Sequence, residues 1–327
     1  MKERNIGIDI LKFFAVLFIT NSHMQLLYGD YKALAIGGTL GNVLFFFCSG
    51  FTLFLKPFER AADFPNWYKR RINRIYPSVL AIAIVSCTFF NTHHDINFII
   101  LHGGRWFVSG IMVFYVFLYF IGLYMRDKLK WVMLALIVLG SVWFFASGMP
   151  FGIFGNEKYQ VRWVYYFLFM LFGAMMGMRS MTPNEGKTMN QWLHLLLSVL
   201  SIIVFFALNG LTARYHGMKF IQVISFLPLM SFMYFLYKWG EGSFARSIYS
   251  KKTGHFIIRF VGGLCLEVYL IQNLLFTDVL NFLFPLNLLI FLVVILIAAY
   301  LLRCLARLIA QTFKDAPYDW RKMVSPY

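Results

Sequence analysis

Ten stretches of this 327-residue chain stay apolar for close to membrane-spanning length: near 7–27, 37–55, 74–92, 105–125, 131–148, 161–178, 191–209, 220–238, 259–283 and 287–305. About 20 such residues in a helix cross a hydrocarbon core about 30 Å thick. With 60% hydrophobic and only 13% charged residues, too little polar surface remains to coat a soluble globule of this size. The expected fold class is therefore all-α: a polytopic membrane helix bundle of about ten transmembrane helices. No soluble stretch of useful length and no internal repeat is left over, so residues 1–327 read as one integral membrane domain. Asp9 and Lys12 interrupt what would be the apolar region of a signal peptide, and no small-residue cleavage pattern follows, so the first span is expected to be retained. Cys48, Cys87, Cys265 and Cys304 all fall inside apolar runs, which suits buried thiols better than disulfides or a metal site.

Positive charge sets the expected orientation. With both termini cytoplasmic, 23 of the 30 Lys and Arg residues fall on the inner side, among them six between Lys56 and Arg74 and five from Arg303 onward. Six fall outside, and Lys12 lies within a span. The net charge of +16 then reads as topology signal and contact with anionic lipid, with no nucleic acid partner needed.

The first span carries ionisable groups in register. Lys12 and His23 are eleven residues apart, about three helical turns, so they align to within roughly 20° and sit about 16 Å apart along the axis. Asp9 falls within roughly 60° of the same line. A charge in the bilayer costs at least about 2.5 kcal/mol, so this stripe is expected to face protein or water and to wall a functional cavity. His23 has a plain alternative as a packing residue. Burial without a partner would keep its imidazole neutral, and a neutral imidazole can take a proton from a hydroxyl nucleophile. Asp9 cannot orient it, because about 21 Å of helix lies between them.

One inner loop is denser in cations than topology requires. Lys69-Arg70-Arg71-Ile72-Asn73-Arg74-Ile75-Tyr76-Pro77 stands at the start of the third span, with Pro77 suited to an opening helical turn. Arg71 and Arg74, three apart, would share one face. Two guanidinium forks beside a helix N-terminus make a phosphate site, and Arg70 adds to it. The competing reading is a membrane-edge charge cluster; the cytoplasmic mouth of a polar-lined bundle favours a phosphorylated cytosolic donor.

Further polar residues are weaker signals. Glu267 and Asp278, eleven apart in the ninth span, would share a face as intramembrane acids, with helix pairing the plain alternative for Glu267. His93, His94, Asp95 and His102 crowd a short outer loop that lacks the fixed geometry a metal needs, so no metal is expected there. Trp106 offers a flat face to a sugar ring.

The ordered set of motifs resembles the acyltransferase-3 family of multi-pass membrane acyltransferases, the O-antigen and peptidoglycan O-acetylase type, over nearly the whole chain. The resemblance rests on Gly7-Ile8-Asp9-Ile10-Leu11-Lys12-Phe13-Phe14 leading to His23, then Phe45-Phe46-Phe47-Cys48-Ser49-Gly50-Phe51, then the Arg70–Pro77 run. Trp106-Phe107 with Tyr115, and Leu266-Glu267-Val268-Tyr269-Leu270-Ile271-Gln272, complete it. It implies transfer of an acyl group, most often acetyl, from cytosolic acyl-CoA to a hydroxyl of an envelope or extracellular glycan or its lipid-linked precursor. Acyl-CoA is then a co-substrate, with no bound cofactor, and the setting is a bacterial inner membrane. By the same resemblance His23 is catalytic and Arg71 with Arg74 binds the CoA phosphates. Ser49 and Tyr269 match family motif positions and join Asp9, Lys12, Glu267 and Gln272 in supporting the cavity. Two positions depart from the family pattern. Lys12 replaces the usual Arg and loses its planar fork. Gln272 replaces the usual His and cannot titrate, so proton shuttling there is excluded. Many relatives carry an extra hydrolase-like domain, and none is expected after Tyr327.

In the expected mechanism the donor headgroup sits on Arg71 and Arg74 at the inner face. His23, about 24 Å along the first helix, removes the acceptor proton beyond the bilayer midplane; an acyl-histidine route is equally legal. The competing class is a transporter or flippase of a glycan or small solute, with the charged stripe lining its path, and a non-catalytic scaffold is a third. Self-association into a homo-oligomer stays open.

Overall fold

The computed structural model describes residues 5–92, 95–96, 99, 106–148, 152–154, 160–181, 189–215, 218, 220–314 and 316–327. Every regular element among them is helical. Eight helical segments are long and apolar enough to cross a membrane. A ninth span is broken: α11 (Lys252–Gly263) and α12 (Cys265–Leu275) meet at a 69° bend. The second expected span, α2 (Gly38–Leu53), is a shorter apolar helix of 16 residues. All ten expected runs thus contain helix, and the chain is a multi-pass membrane protein. It divides into two compact units, which share α1 (Ile6–His23) at Lys12/Phe13, α2 at Gly41/Asn42, α4 (Trp106–Tyr124) at Phe117/Leu118 and α11 at Ile258/Arg259.

The first unit comprises Met1–Lys12, Asn42–Glu59 and Leu118–Ile258. It contains α5 (Leu129–Ala146), α6 (Val161–Arg179), α7 (Gln191–Arg214), α8 (Phe220–Ile224), α9 (Phe226–Gly240) and α10 (Ser243–Ser250). Helix α6 is its axis, with 78% of its apolar window buried, against 22% for α5 and 17% for α7. In lipid, outer helices need no polar face, so burial here is decided by how closely backbones can approach. Gly173 and Gly177 of α6 and Gly50 of α2 supply that approach. A Cβ on Gly173 would lie 2.0 Å from the Phe47 carbonyl oxygen, and one on Gly50 only 1.8 Å from that of Met170. Gly173→Ala should therefore force the two helices apart, costing about 1–3 kcal/mol or more, read as a lowered thermal midpoint in detergent. An unchanged midpoint would show that α2 and α6 do not pack through their backbones.

The second unit comprises Phe13–Gly41, Arg60–Phe117 and Arg259–Tyr327. Its frame is α3 (Phe64–Phe90), α12 and α13 (Leu286–Thr312), mutually packed, with the short α14 (Trp320–Val324) against α13. Helix α3 begins ten residues before the expected span. Pro65, not Pro77, occupies its first turn, and Pro77 lies inside the helix. There Pro77 removes the donor that Asn73 O would have used, an interruption that membrane helices tolerate.

Candidate functional site

The early start of α3 changes the basic cluster. Arg70, Arg71 and Arg74 stand about two to three turns into a helix rather than at its N-terminus, so helix N–H groups cannot help hold an anion there. The guanidinium groups themselves must do it. Arg70 and Arg74 are exposed, and Arg71 is half-buried with its guanidinium over the Trp67 ring, 5.5 Å from the centroid. Trp67 in turn packs edge-on against Tyr115 of α4, with centroids 6.0 Å apart. This aromatic shelf limits the conformers Arg71 samples, while its Nε is buried without a hydrogen-bond partner among the described residues.

At the start of α4, Trp106 meets Phe107 edge-on, and Phe107 lies 5.0 Å from the ring of Tyr269 on α12. Trp106 is half-buried, whereas Phe107 and Tyr269 are buried. Gln272 sits one turn beyond Tyr269 on the same side of α12 and is 0% exposed.

Glu267 is occupied. Its Oε2 accepts from Arg303 Nη2 of α13 at 2.7 Å and its Oε1 from Ser78 Oγ of α3 at 3.0 Å. Arg303 also donates to the Gly263 carbonyl at the bend between α11 and α12. A sharp helix break strands carbonyls that the helix would otherwise satisfy; here a guanidinium supplies the donor and Glu267 balances its charge. The expected cavity role for Glu267 thus gives way to helix pairing. Arg303, counted above as a topology charge, is buried and paired; Arg162, counted on the outer side, is 4% exposed. Asp278 lies past the end of α12 and is exposed, so it does not share a helix face with Glu267.

His23 is exposed, contrary to the dry setting expected for it. The reason is local: it is the last residue of α1, and the chain turns there into a 3₁₀ segment, Met24–Leu34. That puts it about 26 Å along the helix from Ile6, close to a full hydrocarbon thickness and hence near the far membrane face. The 3₁₀ segment reverses at Gly29, whose φ of 53° suits glycine. Three asparagines pin it. Asn21 Nδ2 donates to the carbonyls of Leu34 and Ile36, and Tyr28 donates to Asn21 Oδ1 at 2.6 Å. Asn281 Nδ2 donates to Leu26 O, and the fully buried Asn287 donates to Leu27 O and to Asn281 Oδ1. No motif singled these residues out. Their one common trait in the sequence is an amide at the edge of an apolar run, a weak signal.

The charged stripe on α1 is divided. Asp9 and Lys12 belong to the first unit and His23 to the second. Asp9 is buried and accepts from Tyr249 Oη at 2.7 Å; Lys12 is half-buried. Nearby, Tyr237 donates to Glu241 Oε1 at 2.6 Å, and Asn5 Nδ2 donates to Tyr237 Oη at 3.1 Å. Ser49 is half-buried, next to the close-packed Gly50. The four cysteines form no disulfide; Cys48 and Cys265 are buried as expected, whereas Cys87 is exposed. His93, His94 and His102 lie outside the described residues.

Comparison with curated proteins and with solved structures returned no match. The family comparison did: the model of an acyltransferase domain matches residues 5–305, a range that takes in the α1 stripe, the Arg-x-x-Arg turn of α3 and the Glu267–Gln272 segment of α12. The chain therefore belongs to the acyltransferase-3 family of membrane acyltransferases.

Proposed function

We propose that the protein transfers an acetyl group from cytosolic acetyl-CoA to a hydroxyl of an envelope glycan or its lipid-linked precursor, in a bacterial inner membrane with both termini cytoplasmic. The observation that carries the donor half is the set of arginines on α3. Arg71 is steadied on Trp67, its Nε has no partner among the described residues, and Arg70 and Arg74 are open to solvent beside it. Guanidinium forks of this kind suit the diphosphate and 3′-phosphate of CoA.

In the proposed reaction the acceptor hydroxyl oxygen attacks the thioester carbon while His23 takes its proton. The carbon–sulfur bond then breaks, and the CoA thiolate recovers the proton from the imidazolium. Exposure at the end of α1 supports access of a large acceptor to His23. Ser49, Lys12 and Asp9 support the fold of the first unit around α1, and Tyr269 with Trp106 offers ring faces to the acceptor.

Two measurements test this. Purified protein in detergent should consume acetyl-CoA when envelope glycan is supplied, and mass spectrometry should find glycan O-acetylation only in cells that make the protein. A transporter would do neither. Replacing Arg71 and Arg74 together by Ala should weaken acetyl-CoA binding about tenfold to a hundredfold, from lost charge-assisted hydrogen bonds, most strongly at low salt. Unchanged affinity would remove the donor site from α3.

A further inference from the structure

Gln272 presents an unanswered question in the second unit. It is 0% exposed, yet among the described residues neither its amide nitrogen nor its carbonyl oxygen has a hydrogen-bond partner. A buried side-chain amide brings two donors and an acceptor, and leaving them all unmet is among the costlier things a core can do. Other polar groups on the same helix are satisfied: Glu267, five residues earlier, holds both Arg303 and Ser78. The bare amide is thus specific to Gln272 and not a general looseness of α12. One turn before it on the same side stands Tyr269, packed on Phe107, with Trp106 following on α4.

We propose that Gln272 is a binding residue for the acceptor, its amide pairing with two neighbouring hydroxyls of the sugar ring whose face lies along the Tyr269–Phe107–Trp106 wall. The ligand chemistry follows from what the amide lacks. A thioester carbonyl or a phosphate only accepts, and would leave the glutamine oxygen bare. A secondary amide, as in the pantetheine arm, both donates and accepts, but its N–H and C=O point in opposite directions and cannot face one side chain together. Adjacent ring hydroxyls present a donor and an acceptor on one edge, as the glutamine amide does. Aromatic faces beside such an amide suit the apolar faces of the sugar. This rests on the reading of the protein as a glycan acyltransferase, and it assigns the acceptor to α4 and α12 of the second unit.

The test uses the full-length protein in detergent with radiolabelled acetyl-CoA, and as acceptor the total envelope polysaccharide extracted from cells lacking the protein. Gln272→Met keeps length and volume and removes both polar ends. It is expected to fold with a thermal midpoint at or above that of the unmodified protein, since no hydrogen bond is lost. Acetyl-CoA affinity should be unchanged. Transfer at low acceptor should fall at least about tenfold, the loss appearing as a raised KM for polysaccharide. Gln272→Asn, which retains the amide one methylene back, should recover part of it. Equal transfer by Gln272→Met would overturn the proposal, and so would a loss of acetyl-CoA affinity, which would move the residue to the donor. A lowered thermal midpoint with acceptor KM unchanged would also overturn it, by showing that a structural water satisfies the amide. If the unmodified protein transfers nothing to the extract, the glycan reading itself fails, an outcome distinct from all of these.

Discussion

His23→Ala should lower acetyl transfer by about 10²–10⁴-fold, the range a positioned general base contributes, while leaving acetyl-CoA affinity at its unmodified value. The ring is exposed at the last residue of α1, so removing it should leave the stability within about 0.5 kcal/mol of the original. That separation is what makes the experiment informative: a loss of activity in a protein of unchanged stability and donor affinity has to come from chemistry at the imidazole. Undiminished transfer by the alanine variant would eliminate both a general base and an acyl-histidine intermediate. The asparagines that hold the following 3₁₀ segment give the ring a fixed exit from the helix.

The second large effect lies away from the chemistry. Glu267→Ala leaves the Arg303 guanidinium buried without its counter-charge, and breaking a buried pair on one side costs about 3–5 kcal/mol. The expected result is a protein that extracts poorly and elutes as aggregate, with the damage centred on the α11–α12 bend where Arg303 also holds the Gly263 carbonyl. The double variant Glu267→Leu with Arg303→Met should regain much of the loss, because both charges leave together and the remaining deficit is the Gly263 carbonyl and the Ser78 hydroxyl. A Glu267→Ala protein as stable as the original would show that the pair carries no structural burden and would return Glu267 to the list of groups open to substrate.

The residues differ in how far their roles could be read before the fold was known. The existence and type of every long helix were visible, because crossing a hydrocarbon core demands a run of apolar residues that nothing else in a chain resembles. The start of α3 was misplaced by ten residues: Arg70, Arg71 and Arg74 look like a loop in a hydropathy reading, yet arginine is a good helix former and the helix runs through them. The bend at Leu264 follows the Gly262-Gly263 pair, a helix-weakening signal that a hydropathy reading passes over; Arg303, 39 residues further on, satisfies a carbonyl the break exposes. Asp9 and His23 were read as one wall because helical periodicity joins residues on a helix, and periodicity cannot tell which neighbours that helix meets along its length.

By itself, then, the order of residues determined that this is a multi-pass helical membrane protein, which motifs it carries and which family it belongs to, since these depend on local hydrophobicity and local pattern. Tertiary structure alone decided which charges are spent and which remain available. Arg303 and Glu267 neutralise each other, Asp9 is taken by Tyr249, His23 is exposed, and Gln272 is enclosed with no hydrogen-bond partner among the described residues. The physical reason is that pairing and burial belong to groups brought together from distant parts of the chain, and no local pattern carries that information.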